Sequence, residues 1–206
     1  MNNKKVVVAA SGKGRSLSNL IEFQKKWNTY EICGLIVSDH SCGAAAIAEK
    51  HAIPVYSGPI EDNLIVSEGL NAWLLDIKAH WIALAGYIKK FPVVFRESPE
   101  ISKRMINIHP SLLPRFSGKG MYGMQVHEAV YQAKAKETGA TIHYVNKNYD
   151  EGTVISQIKV PIKESDSVKE IASRVFQAEC VLYPKTLTML IQQKLPLKHN
   201  RIYELK

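Results

Sequence analysis

Lys5-Val6-Val7-Val8-Ala9-Ala10-Ser11-Gly12-Lys13-Gly14 is the stretch that decides how the whole chain is read. An unbroken apolar run, too short for a buried helix, ends in a turn carrying two glycines. Beyond it Leu17, Leu20, Ile21 and Gln24 recur at helical spacing. Strand, glycine turn and helix in that order open a unit in which a helix covers the face of a sheet.

The same alternation continues downstream. Ile32–Val37 reads as a second apolar strand, followed by an alanine-rich helix near Cys42 to His51 and a short strand over Ile53–Tyr56. Residues about 61–79 carry a helical period, and Trp81–Ala85 reads as a buried central strand that stops at Gly86. Met105–His109 is another apolar strand, halted by Pro110, and a helix is expected from about Met124 to Lys134. Ala140–Val145 and Val154–Val160 alternate as strands do and flank the polar loop Asn148–Gly152, so an antiparallel pair is expected there. A long helical period over Val168–Gln193 closes the pattern. The predicted class is α/β: a Rossmann-like, mostly parallel twisted sheet with helices on both faces and an antiparallel edge. With 206 residues and no linker or repeat, one domain over 1–206 is the expectation.

Composition removes several classes of function. No apolar run approaches the roughly 20 residues a membrane helix needs, and the start lacks a signal-peptide cleavage pattern, so a soluble cytoplasmic protein is expected. Cys33, Cys42 and Cys180 show no paired C-x-x-C spacing, which predicts neither a disulfide framework nor a metal site. The formal charge of +8 asks for anionic partners. Lys and Arg are scattered, without zinc-finger spacing or an RNA-binding aromatic signature, so nucleic acid is not expected; the charge by itself does not choose between a membrane surface and phosphorylated small molecules.

Three places can carry chemistry. The turn Gly12-Lys13-Gly14-Arg15-Ser16 leads into a helix start, where backbone N–H groups and the helix dipole favour an anion. Leu17 stands where the last glycine of a dinucleotide fingerprint would be, so an ordinary tight turn explains the glycines equally well; Lys13 and Arg15 favour phosphate. Alternation along Met105–His109 puts Asn107 and His109 on one face at the strand's carboxyl end, where ligands of open α/β sheets gather. The amide can donate to a developing oxyanion and the imidazole can exchange a proton near neutral pH, although both could equally cap the strand. Asp150 lies in a turn that a carboxylate commonly satisfies; beside His109 it would orient the ring.

Asn107-Ile108-His109-Pro110-Ser111-Leu112-Leu113-Pro114 resembles the signature of the folate-dependent formyltransferases. The likeness extends through Ser11–Gly14, Ala85-Gly86-Tyr87, Gly139–Val145 and Tyr149-Asp150-Glu151-Gly152, nearly the whole chain. It implies transfer of a formyl group from 10-formyltetrahydrofolate, a co-substrate, to the amine of glycinamide ribonucleotide in de novo purine biosynthesis, without a metal. Asn107, His109 and Asp150 then stand at catalytic positions, with His143 near them. Gly12, Lys13, Gly14, Arg15 and Ser16 stand at the substrate phosphate, and Glu179 at an acidic substrate contact. Gly86, Tyr87, Ile88, Lys89, Asn107, Asn146, Tyr149 and Asp150 line the implied folate site. Residues about 1–100 become the nucleotide- and phosphate-binding half, and about 101–206 the catalytic and folate-binding half, of a monomer or homodimer.

The chain departs from the family's common pattern in three places. Arg15 and Ser16 follow the turn where Ser and Asn are frequent, 116–123 is a glycine-rich variant loop, and Glu151 stands where Gly is frequent. A sugar-nucleotide N-formyltransferase and a formyltetrahydrofolate deformylase share the motif and remain alternatives. A noncatalytic nucleotide- or RNA-binding module would leave Asn107, His109 and Asp150 without a joint purpose.

Overall fold

The computed structural model describes residues 4–58, 60, 65–95 and 97–194, and the backbone of 203–204. The chain divides into two compact units, residues 1–106 and 107–206.

In the first unit β1 (Lys4–Ala10) leads through the glycine turn into α1 (Arg15–Trp27), followed by β2 (Tyr30–Val37), α2 (Gly43–Lys50), β3 (Val55–Tyr56), α3 (Glu68–Asp76), β4 (Trp81–Leu84) and the short α4 (Pro99–Ser102). Strands β3, β2, β1 and β4 are neighbours in that order, all parallel. Val6, Val7, Val8 and Ala9 are fully buried, as expected of a central parallel strand with both faces covered. Leu17, Leu20 and Ile21 form the buried stripe of α1. Tyr30 donates its hydroxyl proton to the Leu20 carbonyl at 3.0 Å, satisfying the one polar atom that its burial strands. The helix expected over about 61–79 is shorter: α3 runs only from Glu68 to Asp76, while Ile65 pairs with Val94 in an isolated bridge. Ser67 caps it by accepting the Leu70 N–H, and Lys78 turns left-handed at φ 56° just past its end. Residues 61–64 of that expectation lie outside the described residues.

Strand β5 (Met105–His109) carries the chain into the second unit, where α5 (Met124–Gln132), β6 (Glu137–Tyr144), β7 (Val154–Pro161), α6 (Val168–Ile191) and β8 (Tyr203–Glu204) follow. Strands β6 and β7 pair antiparallel from Glu137↔Pro161 to His143↔Val154, with the register slipping between Ile142 and His143. Such a bulge re-aims side chains at the end of a ladder. Strand β8, which the pattern of the sequence does not announce, pairs parallel with β7. Helix α6 packs on β6, β7 and α5. It begins with a capping box in which Ser167 and Glu170 satisfy each other's backbone N–H groups. The α/β class and the antiparallel pair expected from the sequence are both present.

Candidate functional site

Strand β5 delivers Asn107 and His109 as the alternation requires, while Ile106 and Ile108 are buried. His109 is itself only 3% exposed. Its Nε2 donates to the Phe116 carbonyl at 2.8 Å, and its Nδ1 lies 3.5 Å from Asp150 Oδ1. Because a carbonyl can only accept, Nε2 carries a proton in this state.

From β6, two residues past Thr141, comes His143, also 3% exposed. Its Nδ1 donates to the Tyr144 carbonyl at 2.9 Å, leaving Nε2 to accept an amide hydrogen from Asn107 Nδ2 at 3.1 Å. That bond orients the amide, whose second hydrogen is left for a ligand. Asp150 Oδ1 lies 3.6 Å from His143 Nε2, and Oδ2 accepts the Gly118 N–H at 3.0 Å. Amide, two imidazoles and carboxylate, three of them named as catalytic candidates from the sequence, thus meet within the second unit, the amide hydrogen-bonded to His143 and the carboxylate 3.5 and 3.6 Å from the His109 and His143 rings.

Glycines make the approach possible. A Cβ on Gly152 would stand 1.5 Å from the Tyr144 carbonyl oxygen, so only glycine lets the Asp150 loop pass that close to the end of β6. The loop over 116–123 supplies the Phe116 carbonyl and the Gly118 N–H, with Phe116, Gly118, Gly120 and Gly123 all at positive φ. Its part in holding His109 and Asp150 has no signal in the sequence beyond that run of glycines.

Beneath the cluster is a polar layer that the motif alone does not reveal. The fully buried Thr141 hydroxyl donates to the Ser111 carbonyl at 2.6 Å and accepts from the Leu113 N–H at 3.0 Å and from Gln157 Nε2 at 2.9 Å. Gln157 Nε2 also donates to the Leu113 carbonyl at 3.0 Å, and Ser111 Oγ donates to the Arg115 carbonyl at 2.6 Å. The turn that presents the Phe116 carbonyl is therefore bolted to β6 and β7.

Electrostatics pull both ways on these groups. Burial pushes the His109 pKa down, against Asp150 and the Phe116 carbonyl, which raise it, and the net value is below the ordinary 6.5. Burial works to raise the Asp150 carboxyl, yet the His143 and His109 rings and the Gly118 N–H outweigh it and hold it below the ordinary 3.8.

The other candidate residues sit as follows. In the first unit Gly14 has two reasons to be glycine, a φ of 73° and the Ala44 Cα at 2.7 Å from where its Cβ would be. Gly12 has neither, since a Cβ there would meet nothing within 4 Å, so the space over it is open. Lys13 and Arg15 are exposed, Ser16 is half-buried, and no side chain caps the start of α1. Ser11 Oγ lies 2.9 Å from Ser38 Oγ and accepts the Ile88 N–H at 3.2 Å, while the Ser11 N–H donates to the Gly86 carbonyl at 3.1 Å. The glycine turn is thereby fastened to the segment Gly86-Tyr87-Ile88-Lys89. Tyr87 is buried with its hydroxyl unsatisfied among the described residues, and Ile88 is half exposed. In the second unit Asn146 and Tyr149 are exposed in the Asp150 loop, and Glu179 is half-buried on α6, joining none of the bonds just given. Among the described residues no group of three or more His, Cys, Asp or Glu side chains is placed to hold a metal ion. No described helix is long and apolar enough to cross a membrane.

Comparison with known proteins adds an independent line. The formyl transferase family matches residues 4–187. A chloroplastic phosphoribosylglycinamide formyltransferase of Vigna unguiculata is 35% identical over 199 residues, covering 95% of this chain, which spans 63% of that relative's length. The phosphoribosylglycinamide formyltransferase of Haemophilus influenzae is 29% identical over 204 residues, covering 97% of this chain and 93% of its own. Among solved structures, phosphoribosylglycinamide formyltransferase from Anaplasma phagocytophilum superposes with a TM-score of 0.82 at 26% identity, with both chains covered completely.

Proposed function

Since the chain belongs to the formyl transferase family, we propose that it transfers the formyl group of 10-formyltetrahydrofolate to the amine of glycinamide ribonucleotide in de novo purine biosynthesis. The observation that carries this is the cluster itself: Asn107, its amide oriented by His143, and, two residues along the same strand face, His109, whose Nδ1 faces the Asp150 carboxylate. Relatives similar over nearly the whole chain are named for the same transfer.

The acceptor's neutral amine attacks the formyl carbon, a C–N bond forms, and the carbonyl oxygen gains negative charge. Asn107 donates its free amide hydrogen to that oxygen; losing such a donor typically costs about 10²- to 10³-fold in rate. The intermediate collapses as the bond to folate N10 breaks, the amine giving up a proton and N10 receiving one. His109 mediates this exchange as the charged ring, its Nδ1–H facing Asp150: Nε2 leaves the Phe116 carbonyl, gives its proton to N10 and takes up the one the amine releases. Such proton transfer is worth roughly 10²- to 10⁴-fold. No side-chain nucleophile and no metal enters a step.

The turn Gly12–Ser16 receives the acceptor's phosphate on its backbone N–H groups and on Lys13 and Arg15, and Glu179 meets the acceptor. Gly86, Tyr87, Ile88 and Lys89 in the first unit, and Asn107, Asn146, Tyr149 and Asp150 in the second, are assigned to the folate. Both partners are anionic small molecules, drawn by a chain of net charge +8. Three unbridged cysteines suit a reducing compartment such as the cytoplasm.

The test is formyl transfer to glycinamide ribonucleotide measured against hydrolysis of the formyl donor without acceptor. Acceptor-dependent transfer is expected to dominate; hydrolysis alone would make the protein a deformylase. His109→Ala and Asp150→Asn should lower turnover far more than they weaken binding of a folate analogue, and equal losses in both would contradict the roles given to these residues.

A further inference from the structure

Asp150 holds a backbone conformation that side chains other than glycine rarely adopt, with φ at +56°. Glycine would take it freely, but the carboxylate is what faces His109 and His143, so the strain has to be held by the surroundings. The loop is pinned on its far side, where Gly152 lies under the Tyr144 carbonyl and the Tyr144 N–H donates to the Thr153 carbonyl at 2.9 Å. On its near side the Asn148 N–H donates to Asn146 Oδ1 at 2.9 Å. Between these two pins a side-chain bond spans the strained residue: Asn148 Nδ2 donates to Glu151 Oε2 at 2.5 Å, joining the residues on either side of Tyr149 and Asp150.

We infer that the Asn148–Glu151 bridge is a positioning device for Asp150, closing the turn over it and keeping its carboxylate directed at His109 and His143. It rests on Asp150 acting as the partner of His109 in the proposed transfer. Asn148 and Glu151 are both exposed, so replacing either removes no core packing. They act on the chemistry through the placement of Asp150.

His109 reports the bridge. Its ring is faced by Asp150 from this loop, by His143 from β6 and by the Phe116 carbonyl; of these, Asp150 and the carbonyl favour the charged ring and His143 opposes it. A carboxylate freed from its turn favours the charged ring less, and the ring then titrates at lower pH.

The experiment follows the His109 ring by NMR across pH in the whole protein, with kinetics alongside, for Glu151→Ala, Asn148→Ala, the double variant and Glu151→Gln. In each alanine variant the His109 midpoint is expected to fall by roughly half a pH unit, and kcat by about three- to tenfold with the acceptor's KM unchanged, the size of one exposed hydrogen bond. The double variant should match the single ones, since both cut the same bond. Glu151→Gln should follow the wild type, because its amide oxygen accepts the same hydrogen. A His109 titration unaltered in both alanine variants, or losses that add in the double variant, overturns the inference. A wild-type protein that transfers no formyl group, but whose His109 midpoint still follows the bridge, removes the proposed reaction and leaves the brace standing.

Discussion

Replacing Thr141 by valine keeps the branched shape and deletes one oxygen that serves three partners. The Thr141 hydroxyl has one proton and two lone pairs, and its bonds to the Ser111 carbonyl, the Leu113 N–H and Gln157 Nε2 use all of them. Gln157 keeps a bond to the Leu113 carbonyl, but the Ser111 carbonyl and Leu113 N–H lose theirs in a region closed to water. Two buried groups at about 1–3 kcal/mol each, less about 1 kcal/mol for the added apolar burial, give a loss of roughly 1–5 kcal/mol. Thr141→Ser keeps the oxygen and loses a methyl, costing about 1 kcal/mol. Urea unfolding followed by fluorescence and circular dichroism measures both; with a slope of about 2 kcal/mol/M, the valine midpoint should fall by roughly 0.5–2.5 M. If Thr141→Ser is as damaging as Thr141→Val at unchanged slope, the hydroxyl is not the anchor of this turn.

Gly152→Ala drives a methyl into the Tyr144 carbonyl and is expected to cost on the order of 3 kcal/mol, lowering the thermal midpoint by about 5 °C or more; an unshifted midpoint would contradict the close approach. Gly12→Ala meets nothing and should leave that midpoint alone while raising the KM for the phosphorylated acceptor, an effect absent if the turn binds no phosphate. The folded-state pKa of His109 lies below its unfolded value near 6.5, so its contribution to stability is complete above that pH and declines as the pH falls below it. Asp150, also depressed, contributes above about 3.8 and loses its contribution as the pH falls further, through its folded value. Stability measured from pH 7 downward should therefore fall in both windows, and His109→Gln should flatten only the upper one; an unaltered slope between pH 7 and 5 would exclude His109 as its source.

Local chemistry was written plainly in the chain. The apolar run Val6–Ala10 ending in glycines could pack only as a buried strand turning into a helix, and the two-residue alternation of β5 put Asn107 beside His109 whatever the rest of the fold. Elements without a periodic stripe were less legible: β8 pairs through backbone bonds that side-chain pattern does not encode, and the helical period over about 61–79 outran the residues that Ser67 caps. What no local pattern could supply was the meeting of Asp150 with His109. It depends on the β6–β7 register slipping at His143, on Gly152 sliding under a carbonyl, and on Phe116 and Gly118 reaching back from the variant loop. Sequence by itself determined which groups were present and which way a strand faced them, because those follow from backbone periodicity. Only the tertiary structure decided which groups touch, because a hydrogen bond is a matter of a few tenths of an ångström set by packing between segments far apart along the chain.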